Sequence, residues 1–189
     1  MIVSDIKLLG LDDAKKYASL PFSTNKSIRE TTLVSLAHKT QRSHAKFLRH
    51  ATINCLVQAP ILWWIEFDTY KVGVTRTSTS TMHTLLSNKL DVSDLDITLL
   101  NNMQPAVKQL LSELVKDINK LVSSNRNNDE LLLAAKSLLP CSFVYRSYIS
   151  MSYEALRNMY HDRKNHRLPY WKVFLDSFKD LEGWKEYVL

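Results

Sequence analysis

The stretch ATINCLVQAPILWWIEF, residues 51 to 67, contains the most apolar part of this 189-residue chain. Its first half, Ala51 to Ala59, alternates imperfectly between apolar and polar side chains, which favours a β-strand. Pro60 follows inside the apolar run, where a proline indicates a sheet edge, a bulge or the start of a helix. The run from Ile53 to Ile65 is interrupted by two polar amides and is too short to cross a bilayer, so no membrane span is expected.

Helices outnumber strands in the patterns on both sides of this stretch. Ile2 to Leu9 predicts a short strand, and Ala106 to Val122 has the apolar spacing of an amphipathic helix. Further helices are predicted at Ser27–Ala37, Asp91–Met103, Glu130–Leu139, Tyr153–Asp162 and Trp171–Phe178. The expected fold class is α+β, and the length predicts a single domain over residues 1–189.

The composition excludes several kinds of site. With only three glycines, the chain cannot carry the Gly-rich dinucleotide fingerprint or the phosphate loop. The two cysteines, Cys55 and Cys141, lie outside any metal-ligand spacing, so both are expected to be buried apolar residues in a reducing cytoplasm. His44 and His50 match no known zinc spacing, and no metal site is expected. The start of the chain lacks the plan of a signal peptide, which also indicates a cytoplasmic location.

Two stretches contain cations but no acid, in a chain whose formal net charge is +6. The first lies between Glu30 and Glu66 and holds Lys39, Arg42, Lys46 and Arg49 with three histidines. The second runs from Thr69 to Leu90 and includes the hydroxyl-rich KVGVTRTSTSTMHT, residues 71–84, whose composition predicts a surface loop. Cations and hydroxyls without carboxylates suit a phosphate group, although chance placement on a solvated face would give the same pattern.

Two segments carry a resemblance to a known family. In residues 44–71, His44 and His50 precede the alternating strand and Pro60. In residues 135–171, the motif AKSLLP is followed by Asn158, Arg163, His166 and Trp171. These segments, about a third of the chain, resemble the flavin-dependent thymidylate synthases. The resemblance implies a small antiparallel sheet with several packed helices and a homotetramer that shares its sites between subunits.

The resemblance also implies a reaction and a set of site residues. It implies methylation or hydroxymethylation of a pyrimidine deoxynucleotide such as dUMP, with FAD, a reduced nicotinamide and a folate carbon donor. It identifies no catalytic side chain. The implied nucleotide-binding residues are Glu66, Lys71, Arg76, Ser78, Ser80, Lys136 and Arg163. The implied cofactor-binding residues are His50, Tyr70, Asn158 and His166.

The chain departs from the family pattern at several of these positions. TYKVGVTRTSTSTMH, residues 69–83, replaces the family's Arg-rich signature. Ser152 and Glu154 replace an Asn and an Arg at the flavin-binding helix. Glu66 replaces a Gln that faces the nucleotide. Because a carboxylate only accepts hydrogen bonds, Glu66 predicts a preference for cytosine or a purine amine, unless it pairs with Lys71 or Arg76.

Three functions stay open on the sequence. The first is the flavin-dependent enzyme, and the second is a nucleotide-binding or nucleotide-sequestering protein of the same fold without catalysis, of the kind a phage encodes. The third is a nucleic-acid binder that uses aromatic residues such as Trp63, Trp64 and Tyr70. Nothing in the chain resembles a nucleic-acid-binding module, and Trp63 and Trp64 fit a core position better.

Overall fold

Four strands form one antiparallel sheet in the order β1-β2-β4-β3. The strands are β1 (Ile2–Leu9), β2 (Thr52–Pro60), β3 (Val74–Ser78) and β4 (Val144–Ser152). The structure is a computed structural model that describes residues 1–22, 28–39, 42–100, 105–124 and 129–189. The predicted start of a helix at Ser27 and the end of another at Met103 lie outside the described residues.

Helices make up most of the remaining described chain. They are α1 (Leu11–Tyr17), α2 (Glu30–His38), α3 (Ile61–Phe67), α4 (Thr81–Ser87), α5 (Pro105–Ser124), α6 (Asp129–Ser137), α7 (Tyr153–Arg163), α8 (Pro169–Asp176) and α9 (Trp184–Tyr187). Short 3-10 helices lie at Leu20–Phe22, Arg42–Arg49, Val92–Asp94 and Thr98–Leu100. The predicted α+β class and the antiparallel sheet are confirmed. None of the described helices combines the length and the hydropathy that a bilayer span requires.

The chain divides into two compact units. Unit 1 comprises Met1–Val57, Phe67–Thr77 and Ser147–Leu189, and unit 2 comprises Gln58–Glu66 and Ser78–Arg146. The single domain over residues 1–189 stays a prediction.

The core of unit 1 is built from aromatic side chains and from one face of β2. Ile53, Cys55 and Val57 are fully buried and alternate with partly exposed neighbours, the two-residue period expected of a strand with one covered face. The buried ring of Phe67 lies 5.8 Å from that of Phe174, at an edge-to-face angle of 74°.

The core of unit 2 confirms the amphipathic prediction for α5. Val115, Ile118 and Val122 are buried at helical spacing. They belong to a hydrophobic cluster with residues of α4, of α6 and of the chain after each of these helices. The other members of this cluster are Leu85, Leu90, Leu95, Leu132, Ala135 and Phe143. The apolar stripe of α5 therefore anchors the chain after α4 at Leu90 and Leu95.

Two predicted segments differ from the structure. Residues 71–84, expected as a surface loop, contain β3, because the backbone of Gly73 and that of Thr79 pair with β4 at Ser152 and Arg146. Gly73 has a φ of 71°, and a Cβ there would lie 2.7 Å from Ser152 Oγ, so the turn requires glycine. The helix predicted for residues 91–103 is replaced, over its described part, by two 3-10 turns.

Candidate functional site

An open cleft of about 280 Å³ lies in unit 2. It is formed where the end of β3 and α4 meet the ends of β2 and β4. We call it the polar cleft. Its lining residues are Gln58, Thr79, Thr81, Thr84, Leu85, Asn88, Lys89, Leu90, Asp94, Phe143, Val144, Tyr145 and Arg146. Its volume is near the lower end of the range for small-molecule sites, about 300 Å³.

The charges of the polar cleft favour an anion. Lys89 and Arg146 form no ion pair with any residue in the described part of the chain. Asp94 is the acid among the lining residues, and its Oδ2 accepts a hydrogen bond of 2.8 Å from the Asp91 backbone N–H. Two cations against one engaged carboxylate leave a net positive charge for a ligand.

The threonines of the polar cleft are oriented by backbone carbonyls. Thr79 Oγ1 donates to the Arg146 carbonyl at 3.1 Å, and Thr84 Oγ1 donates to the Ser80 carbonyl at 2.9 Å. Each hydroxyl oxygen therefore keeps its lone pairs for a donor such as a sugar hydroxyl. The amides of Gln58 and Asn88 can both donate and accept, which suits the hydrogen-bonding edge of a base.

The walls of the polar cleft are held by contacts within unit 2. The Tyr145 ring stacks on that of Trp64 at 5.5 Å, and Trp64 Nε1 donates to the Ala59 carbonyl at 2.9 Å. Asn119 of α5 donates from Nδ2 to the Leu90 carbonyl at 2.7 Å, and its Oδ1 accepts from the Leu90 N–H at 2.8 Å. These bonds hold the backbone beside Lys89, so the wall is preorganised for a ligand.

In unit 1, a second cluster surrounds Arg163 at the end of α7. Arg163 Nε donates to the Tyr70 hydroxyl at 2.9 Å, and that hydroxyl donates to Asp162 at 3.3 Å. The guanidinium lies 5.6 Å from the ring centre of Tyr70 and 5.1 Å from that of Trp171. Burial raises the pKa of Tyr70, so its hydroxyl is protonated at neutral pH and can donate to Asp162. The structure thus brings together two of the predicted site residues, Tyr70 and Arg163.

A third charged group of unit 1 joins Arg49 to the first turn of α7. Arg49 Nε lies 2.5 Å from Glu154 Oε2, and Nη2 lies 3.3 Å from Oε1. The Glu154 side chain is 10% exposed and that of Arg49 is 52% exposed. Ser152 Oγ caps the same helix by accepting the Ala155 N–H at 3.1 Å. Glu154, which replaces an Arg of the family, is therefore neutralised by a cation from another segment.

The other predicted residues of unit 1 occupy varied environments. Arg76 donates to both oxygens of Asp68 at 2.7 Å and to Ser147 Oγ at 3.1 Å. His166 Nδ1 accepts the Leu168 N–H at 3.1 Å. Lys71 and His50 are exposed, and Asn158 is half-buried on α7.

The remaining predicted residues belong to unit 2, where Ser78, Ser80 and Lys136 are exposed and Glu66 is half-buried on α3. None of these four lines the polar cleft. The base preference expected from Glu66 stays a prediction.

Sequence reasoning missed the lining residues of the polar cleft but found the segment that supplies many of them. Thr79, Thr81, Thr84 and Lys89 all lie in the acid-free stretch from Thr69 to Leu90. The sequence feature that pointed to this segment is a stretch rich in Ser and Thr without Asp or Glu, and no single motif did so. Arg146 carried no signal, because only the pairing of β3 with β4 places it beside Thr79.

The described residues contain no group of three or more His, Cys, Asp or Glu that could hold a metal ion. No family model and no curated protein matches the sequence of this chain. Among solved structures, the chain is similar to thymidylate synthase X (ThyX) from Helicobacter pylori with FAD and dUMP. The TM-score is 0.75 at 16% identity, over 100% of this chain and 97% of that chain.

A further solved structure extends the likeness. The UMP/dUMP methylase PolB from Streptomyces cacaoi, bound with 5-Br UMP, has a TM-score of 0.57 at 13% identity, over 84% of this chain and 75% of that chain. The chain therefore has the fold of the flavin-dependent thymidylate synthases, as its sequence predicted.

Proposed function

We propose that this chain binds a pyrimidine deoxynucleotide such as dUMP and acts as a flavin-dependent thymidylate synthase-like enzyme that methylates or hydroxymethylates the base. The observation that carries the proposal is the polar cleft, in which Lys89 and Arg146 have no ion-pair partner among the described residues. The proposal is also supported by the similarity of the fold of this chain to two solved structures, one with dUMP and one with 5-Br UMP.

In this proposal, the residues of the polar cleft bind and orient the nucleotide. Lys89 and Arg146 neutralise the phosphate, and the guanidinium of Arg146 can present two parallel N–H donors to it. The oxygens of Thr79 and Thr84 accept from the sugar hydroxyl. The amides of Gln58 and Asn88 recognise the base, because uracil presents both a donor and acceptors on one edge.

The residues that the resemblance assigns to FAD offer a donor set that fits a flavin. The side chains of His50 and Asn158 form no hydrogen bond with a described residue, and Arg49 cancels the charge of Glu154 that would repel a pyrophosphate. His50, Tyr70, Asn158 and His166 would hold the cofactor. A bound flavin would supply the hydride, with the carbon from folate and the electrons from a reduced nicotinamide.

Binding of dUMP, followed by isothermal titration calorimetry, tests the nucleotide part. Since a hydrogen bond to a charged group contributes about 1.5–3 kcal/mol, Lys89→Ala and Arg146→Ala should each weaken binding roughly tenfold or more. The matched control is Lys116→Ala, an exposed lysine of α5 outside the polar cleft. Binding that is equal in all four proteins, or absent in the unmodified chain, would overturn the nucleotide assignment.

The second candidate function is a nucleotide-binding protein without catalysis. It is favoured by the side chains of Tyr70 and Ser152, whose hydroxyls are already engaged by Arg163 and by the α7 backbone. The visible absorption spectrum, recorded before and after FAD is added and the excess removed, separates the two candidates. A retained flavin band supports the enzyme, whereas dUMP binding by a protein that refuses FAD supports the binder.

We further propose a cytoplasmic homotetramer, because the sites of the family that the chain resembles lie between subunits. Light scattering of the purified protein gives its mass directly. A monomer that still binds dUMP would refute the tetramer and would not affect the assignment of the nucleotide to the polar cleft.

A further inference from the structure

We propose that Arg49 is an anion-binding residue, that Glu154 positions it, and that it receives a phosphate group of a bound nucleotide. This inference rests on the proposed function for the identity of the ligand, which is the pyrophosphate of FAD, because that function places the phosphate of dUMP in the polar cleft. Neither Arg49 nor Glu154 belongs to the site residues that the resemblance implies.

The geometry of the pair leaves much of the guanidinium for a ligand. A guanidinium has five N–H groups, and the bonds at 2.5 Å and 3.3 Å to Glu154 use Nε and one hydrogen of Nη2. Both hydrogens of Nη1 and the second hydrogen of Nη2 are not used in these bonds. Because the Arg49 side chain is 52% exposed and that of Glu154 is 10% exposed, the carboxylate is enclosed while the guanidinium reaches solvent.

The surroundings of this pair are cationic and carry further donors. Arg49 ends the 3-10 helix Arg42–Arg49, which contains no acid, and both Lys46 and His50 are exposed beside it. Asn158 follows Glu154 by four residues on α7, so the two side chains share one face of the helix. The Asn158 amide and the His50 imidazole therefore belong to the same segments of unit 1 as the pair and are further donors for an anion.

Positive charges also act on His161 of α7, the helix that contains Glu154. The pKa of His161 is lowered by burial and, after that, by the positive charges of Arg157, Lys164 and His38. Cations thus outweigh the single opposing charge of Asp162 at this histidine. The hydrogen bond to Glu154 also raises the pKa of Arg49, which favours its charged form.

If the pair had only a structural role, the ion pair with Glu154 would matter and the solvent-exposed N–H groups of Arg49 would not. Exchange of the two charges separates the roles. In the double variant Arg49→Glu, Glu154→Arg, an ion pair can still form, but the group that reaches solvent is a carboxylate. A structural pair would be restored by this exchange, whereas an anion site would not.

Titration calorimetry with inorganic pyrophosphate, FAD, riboflavin and dUMP tests the proposal on the unmodified chain, Arg49→Ala and the double variant. We expect Arg49→Ala to weaken the binding of pyrophosphate and of FAD roughly tenfold or more and to leave the binding of dUMP unchanged. Riboflavin, which has no phosphate, should bind equally to all three proteins. The double variant should melt near the unmodified chain and bind pyrophosphate as weakly as Arg49→Ala.

A fall in the affinity for dUMP but not for FAD would contradict the assignment of Arg49 to the pyrophosphate. Arg167→Ala, at an exposed arginine of unit 1, is the matched control and should change nothing. If pyrophosphate binds through Arg49 but neither FAD nor dUMP binds, the anion site stands and the proposed function fails. If pyrophosphate binds equally to the unmodified chain and Arg49→Ala, or does not bind at all, the proposal is wrong.

Discussion

At the scale of single residues, the two cysteines differ in a way that their sequence context does not reveal. Cys55 lies on the covered face of β2 with no exposed surface, and burial raises the pKa of its thiol to about 12. Cys141 is exposed in the turn before β4, so the expectation that both are buried is wrong for Cys141. The physical reason is that Cys141 lies in the connection between α6, which ends at Ser137, and β4, and such connections run over the surface of a protein.

This difference predicts how many thiols react in the folded protein. Because the thiolate is the reactive form and Cys55 is both enclosed and protonated, a thiol reagent should modify one cysteine per chain, and two after denaturation. Titration with a chromogenic disulfide at about pH 8 measures both numbers. In Cys141→Ser the fast reaction should disappear. Two fast-reacting thiols in the folded, unmodified chain would contradict the buried position of Cys55.

At the scale of elements, α5 shows why some predictions are confirmed and others are not. Its repeating apolar positions are a local pattern, and the structure buries Val115, Ile118 and Val122 as that pattern requires. The segment after residue 91 also has apolar residues at helical spacing. There, Leu95 forms an isolated bridge with Phe143, and the Asp96 N–H donates to the Ser142 carbonyl at 2.7 Å. Pairing with a distant segment thus replaces the predicted helix.

The link from α5 to the polar cleft can be tested at Asn119. Its side chain makes two hydrogen bonds to the Leu90 backbone. Asn119→Ala should therefore lower the free energy of unfolding by about 2 kcal/mol, because Leu90 would lose both partners. Gln109→Ala, an exposed amide on the same helix, is the control and should change stability by less than about 0.5 kcal/mol. Urea unfolding measures both, and equal stabilities would refute the role given to Asn119.

At the scale of the whole molecule, the stability of the chain should depend on pH through His161. Its pKa in the folded chain lies below the ordinary value of 6.5, so the unfolded chain binds the proton more readily. The free energy of unfolding should therefore fall as the pH is lowered from above the ordinary value towards the folded one. Urea unfolding at about pH 7.5 and about pH 5.5 measures this loss, and His161→Gln should reduce it. An equal loss in both proteins would assign it to other groups.

The sequence by itself determined the class of the fold, and the anionic ligand that it indicates stays a prediction. Three local patterns carried this information: the alternation along β2, the apolar stripe of α5 and the motif positions after Ala135. A local pattern can be recognised in the sequence without knowing which residues are in contact in the fold. The acid-free stretches also indicated an anion before any geometry was known. From these, the α+β fold of the flavin-dependent thymidylate synthases could be predicted and is confirmed.

Only the tertiary structure decided which cations have partners. Asp68 engages Arg76, Glu154 engages Arg49, and the Tyr70 hydroxyl engages Arg163, while Lys89 and Arg146 line an open cleft. The members of the pair Arg49–Glu154 lie 105 residues apart, and no local pattern records such a contact. The physical reason is that the strength of a charge at a site depends on distance and burial, which the folded chain alone sets.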